Sequence, residues 1–209
     1  GNTAEGGRTL ARDPEETDTL LDFEEESSLV GNNTSHEAKV TLVEDVPDGG
    51  GRLAAKTVAD AAAGALQYFG TGYQVPVADL SASRAISLWI RTDIEGGFNL
   101  QIHSGARGNS GVSVFPFSTV NSKGRWKKVN APLARFGKPP WSDSKADLAR
   151  ITKIQVTAFG SGPYDGKYII IDQVETDLGA GAAAHRERNA KQSAILRSRR
   201  SNLRQPVIL

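Results

Sequence analysis

Trp89 and Arg91 stand two apart in "AISLWIRTD", Asn99, Gln101 and His103 alternate through "GGFNLQIHSG", and Gln155 and Thr157 are two apart in "RITKIQVTAFG". Residues at that spacing point to one side of an extended chain. An indole face, a guanidinium, side-chain amides and an imidazole on one surface offer stacking area for the CH faces of a sugar and partners for its hydroxyls. The solvated side of an ordinary sheet uses the same residue types, so the spacing alone admits both readings. A different chemistry is posed by "YIIIDQVE" (168–175), where Asp172 follows three isoleucines. A carboxylate at the edge of an apolar run must be solvated, paired or bound to a cation, because leaving it dry and alone costs several kcal/mol. Pairing with a basic residue such as Lys167, or capping a turn, would answer that need without a metal.

The elements that must position these groups are strands. Ile86, Leu88 and Ile90 alternate with Ser87, Trp89 and Arg91, and Phe98, Leu100 and Ile102 alternate with the polar set of the next run. Ile154, Val156 and Ala158 face inward in the same way, with Gln155, Thr157 and Phe159 outward, which is the period of a half-buried strand. "KYIIIDQVE" is nearly continuous and reads as a central strand. Turn clusters such as "DIEGG", "ARGNSG", "NSKG" and "GSGPYDG" separate the runs. Short strands at this spacing, without alternating helices, predict an all-β antiparallel sandwich or barrel. One helix is expected at 143–151, "DSKADLARI", capped by Asp143 or Ser144.

Composition bounds the function classes. The chain of 209 residues has no cysteine, which removes disulfides, thiolate metal sites and cysteine nucleophiles together. No run of eighteen apolar residues is present, so no membrane span is expected. Methionine is absent even at position 1, as in a mature or excised chain that has lost a signal peptide or a preceding domain, or one that starts on a cloning remnant at Gly1; the first reading gives the expectation of a secreted, extracellular or periplasmic location. The net charge of +1 conceals an acidic body and a basic tail: seven basic residues and one glutamate lie from His185 onward, and "DPEETDTLLDFEEE" (13–26) carries eight carboxylates. An acidic body repels phosphates and the basic run has no interleaved aromatics, which argues against nucleic acid. His36, His103 and His185 lack metal-ligand spacing, and no HExxH, GxSxG or phosphate-loop pattern occurs, so an enzyme is not expected.

The succession "LLDFEEE", "SLWIRTD", "FNLQI", "GRWKKVNAPLARFG", "ITKIQVTAFG" and "GKYIIIDQVE" resembles the galactose-binding-like β-sandwiches, in particular the jelly-roll carbohydrate-binding modules attached to bacterial polysaccharide-degrading enzymes. The resemblance covers about residues 20–178, leaving a polar arm at 1–19 and a Gly/Ala linker with a basic tail at 179–209. It implies a jelly-roll fold and a non-catalytic module that binds a polysaccharide or oligosaccharide through one sheet face. The residues expected on that face are Trp89, Arg91, Asn99, Gln101, His103 and Gln155, rimmed by Tyr68, Tyr73 and Trp141, while Trp126 resembles a buried framework position. It also implies a structural calcium ion tying the first strand to the last, with Glu24 and Asp172 among its oxygen ligands. The rival expectation is an accessory subunit of a larger extracellular or envelope assembly, docking on neighbouring proteins through residues 180–209 and the amino-terminal arm.

Overall fold

The computed structural model describes residues 17–34, 38–59, 68–105, 111–160 and 163–178. The expectations placed on the basic tail, the linker, His36, His185 and the arm before Thr17 lie outside the described residues.

Two antiparallel sheets stack face to face. One contains β1 (Thr17–Leu21), β3 (Lys39–Val43), β4 (Ala54–Val58), β6 (Ser83–Thr92), β9 (Lys127–Pro132) and β11 (Tyr168–Leu178). Its order is β3-β4-β11-β6-β9, with β1 paired to the second half of β11. The other contains β2 (Asn33–Thr34), β5 (Tyr68–Ala78), β7 (Gly97–His103), β8 (Val112–Ser118) and β10 (Ile151–Phe159), in the order β2-β5-β10-β7-β8. This is a jelly-roll β-sandwich: the alternation of the sequence predicts a sandwich or barrel, and the resemblance implies the jelly roll.

The inward residues are those the period of two selects. Ile86, Leu88 and Ile90 of β6 and Ile169 and Ile171 of β11 meet Phe98, Leu100 and Ile102 of β7 and Ile154 and Val156 of β10 in one core, each at most 2% exposed. Fully burying such a side chain stabilises by roughly 1.5 to 3 kcal/mol, so these two inner faces hold the sheets together. β11 is central, as expected: β4 and β1 pair along one edge of it and β6 along the other. Pro116 sits in β8, an edge strand, where a missing N–H costs no ladder bond.

The helix expected at 143–151 does not form. Asp147 caps a three-residue 3-10 turn, Leu148–Arg150, by accepting from the Ala149 N–H at 3.1 Å, and Ile151 already begins β10. Ile151 is fully buried in the core, so the pull of the sheet on it outweighs the helical tendency of the residues before it.

Candidate functional site

Strand registry turns the outer face of the five-stranded sheet into a grid of side chains. One row runs Asn33, Gly72, Gln155, Gln101, Val114 across all five strands. Beside it on one side lies Gln74, Lys153, His103, Val112, and on the other Gly70, Thr157, Asn99, Pro116. A last row, Tyr68, Phe159, Gly97, Ser118, closes one end. Gly70 and Gly72 leave the middle of β5 without side chains on this face, between Tyr68 and Gln74. At Gly72 a methyl group would fall 2.5 Å from Asn33 Oδ1 and 3.2 Å from Gln155 Oε1, and at Gly97 it would fall 2.9 Å from the Phe159 ring. The neighbours lean into the vacated space, and the result is a polar groove with Tyr68 and Phe159 exposed at one end, at 50% and 44%.

The groove floor is wired together. Lys153 Nζ donates to Gln155 Oε1 at 3.2 Å, and the amides of Gln155 and Gln101 both donate to Thr157 Oγ1, at 3.0 and 3.3 Å. A hydroxyl that accepts two bonds keeps its own proton to give. His103 is 7% exposed and its buried Nε2 has no partner among the described residues. Burial, and then the Lys153 ammonium, push its imidazole down to about 4, so the ring is neutral at pH 7. Burial lowers the Lys153 pKa as well.

The six residues expected on one surface do not share it. Asn99, Gln101, His103 and Gln155 come together on the groove, whereas Trp89 and Arg91 belong to β6 and face outward from the opposite sheet. Identical alternation in each strand shows which residues face outward, but not which of two sheets the strand joins. Of the expected rim, Tyr68 is present, Tyr73 is 1% exposed inside the core against Phe23, and Trp141 is exposed in the loop before β10. Trp126 is half-buried rather than a buried framework residue, and its indole N–H donates to Asp45 Oδ1 at 3.3 Å. Lys153, Asn33 and the glycines are not among the residues expected on the face, and Phe159, expected outward, is not among the expected site residues; the doublet "GTG" at 70–72 is the signal that marks the bare stretch of β5.

Glu24 and Asp172 converge on one loop, residues 44–53. Glu24 Oε1 accepts from the N–H groups of Arg52, at 2.7 Å, and Leu53, at 3.3 Å. Asp172 is fully buried; its Oδ1 accepts from the Gln173 N–H at 2.8 Å, while its Oδ2 has no partner among the described residues. A methyl group at Gly50 would lie 2.9 Å from that oxygen. Each carboxylate is aimed by a residue at positive φ, Phe23 at 59° and Gln173 at 46°, and β11 slips register against β6 between Asp172 and Glu175. Non-glycine residues in that region cost of order 1 kcal/mol or more, so the packing over-determines them. Burial is the main reason the Asp172 pKa rises to about 6; the Gln173 N–H opposes it, and Glu24, Asp22 and Glu175 add to it. Lys167, the alternative partner, lies 3.5 Å from Asp93 instead.

No protein-family model and no curated protein match the sequence. Solved structures do match the fold. The sandwich is similar in fold to solved carbohydrate-binding modules: a family 11 module from Clostridium thermocellum, solved with a β-1,3-1,4-mixed-linked tetrasaccharide, is 21% identical, covers 78% of this chain and 96% of its own, and superposes with a TM-score of 0.54. A family 30 module shares 12% identity, 78% of this chain and 99% of its own, at 0.53. An exo-β-agarase matches over 78% of this chain but 25% of its own length, with 16% identity and a TM-score of 0.56. Among the described residues no helix is long and apolar enough to cross a membrane.

Proposed function

We infer that the chain is a non-catalytic carbohydrate-binding module, working outside the cell, that takes a polysaccharide along the outer face of its five-stranded sheet. The observation that carries this reading is the groove itself. Asn99, Gln101, Gln155 and Thr157 offer donors and acceptors on a floor lowered by glycines, and Tyr68 and Phe159 provide ring faces at one end. Amides and hydroxyls that bond one another hold their orientations before the ligand arrives, which reduces the ordering cost of binding. Trp89 and Arg91, on the other sheet, have no part in this groove.

Calcium belongs to the same proposal as a structural ion. A buried carboxylate oxygen without a partner, pressed by three other carboxylates, fits a hard cation held by oxygen. Glu24 and Asp172 would supply its carboxylate ligands and so join the segment after β1 to β11 and to the 44–53 loop.

The test is retention on a panel of immobilised polysaccharides in calcium buffer, comparing the natural chain with Gln101→Ala/Gln155→Ala. Losing two amide contacts should weaken binding by about tenfold or more. Failure of the natural chain to bind any polysaccharide, or equal binding by the double variant, would sink the assignment.

A further inference from the structure

Two of the chain's three tryptophans meet on the sheet opposite the groove. Trp89 and Arg91 point outward from β6, the loop before β4 contributes Val46 and Asp48, and the turn before β9 contributes Arg125 and Trp126; together they line a cleft of about 410 Å³. We propose that this cleft is a second glycan site, binding a short stretch of a neutral oligosaccharide independently of the groove.

The walls are prearranged. Asp45 lies behind the cleft and accepts from Arg91 Nη1 at 2.7 and 2.8 Å and from the Trp126 indole N–H at 3.3 Å, so one carboxylate fixes both side chains. Lys128 stands 5.9 Å from the Trp89 ring centre and 3.5 Å from Glu175. Half-buried indoles held in place offer faces for sugar CH groups. Asp48 and Arg125 are exposed and of opposite sign, one accepting and the other donating, as neighbouring sugar hydroxyls require.

Charge selects a neutral ligand. Arg91 is matched by Asp45 and Lys128 by Glu175, and the exposed charges of Asp48 and Arg125 on the lining are of opposite sign, so the cleft carries no net charge to draw an acidic sugar. The volume falls at the small end of ligand clefts, room for one or two rings rather than a long chain. With the groove on the opposite sheet, one module would hold two glycan segments at once, and tethering makes the second engagement intramolecular.

Nuclear magnetic resonance of the ¹⁵N-labelled chain in calcium buffer reads both sites separately. The indole N–H signals of Trp89 and Trp126 report the cleft, the side-chain amides of Asn99, Gln101 and Gln155 report the groove, and Trp141 serves as reference. The probes are cellohexaose, the mixed-linked β-1,3-1,4 tetrasaccharide and β-1,4-galactotriose, with oligogalacturonate as the acidic comparison. At least one neutral probe should shift both indole signals saturably by about 10 mM, well above a Kd near 1 mM. The shifts should persist in Gln101→Ala/Gln155→Ala, and weaken about tenfold in Trp89→Ala and in Arg125→Ala, the exposed arginine guarding against a folding defect in the tryptophan variant. Silent indoles with every neutral probe would overturn the proposal. So would indole shifts lost with the groove variant, or shifts produced by oligogalacturonate alone. A silent groove with responding indoles would instead remove the groove reading and leave the cleft.

Discussion

The two outer faces of the sandwich solve the display of polar groups differently. On the five-stranded sheet, uncharged amides and a threonine bond one another over glycines, and the one lysine is half-buried beside them. On the six-stranded sheet, ion pairs and indoles are organised by a long loop that also reaches Glu24 and Asp172. The first face is built by registry within the sheet; the second depends on a segment outside it. The loop's Asp45 holds the tryptophan cleft while its Arg52 and Leu53 N–H groups bind Glu24, so the carboxylate site and the cleft share one mechanical part.

Acidification should separate the faces most sharply. His103 lies on the groove with its pKa lowered to about 4, against 6.5 for the free side chain. Its folded-state pKa is depressed, so the neutral ring contributes full stability above pH 6.5, and that contribution is lost as pH falls from there toward 4. The loss amounts to roughly 3 kcal/mol. Denaturant melts of the natural chain and of His103→Gln, which share Asp172 so that its titration cancels in the comparison, should differ by this slope. An equal slope in both would mean that the imidazole is not the group responsible.

Calcium should act through the other face. At a hundredfold excess over Kd an ion bound only by the folded chain contributes about 2.7 kcal/mol, or roughly 5 to 10 °C in Tm for a chain of this size. Calorimetry with and without chelator checks this, and the shift should vanish in Asp172→Ala. If calcium left the natural chain's Tm unmoved, the two carboxylates would have to be explained without a metal.

Phe159→Ala removes a ring from the groove end and should weaken polysaccharide retention about fivefold while leaving the indole signals of the opposite face unchanged. The smallest effect is expected at Asp45→Asn. Its pair with Arg91 is about one-third exposed on both sides, so water screens it and stability should fall by less than about 1 kcal/mol. The Trp126 emission should nonetheless change, because its N–H loses a charged acceptor.

Much of this was legible in the chain before any coordinates. The alternation in 86–90, 98–102 and 154–158 assigned inward and outward residues correctly, because a strand's side chains must alternate whatever it pairs with. Asp172 announced a polar requirement for the same local reason: a carboxylate among isoleucines has to be answered. Four of the six residues expected together on one face do share the groove.

What alternation cannot carry is pairing. Trp89 and Gln101 have the same local pattern and lie on opposite sides of the molecule, since β6 pairs with β11 and β9 while β7 pairs with β10 and β8. The helix expected before β10 failed similarly, because buried Ile151 is needed in the core. The outward set, the core set and the need of Asp172 were determined by the sequence itself, through rules that act within a few residues. The membership of each strand, the meeting of Trp89 with Trp126 across 37 positions, and the convergence of Glu24, Gly50 and Asp172 were decided only by the tertiary structure. Such contacts depend on which hydrophobic faces close over one another, a choice made by the whole core at once.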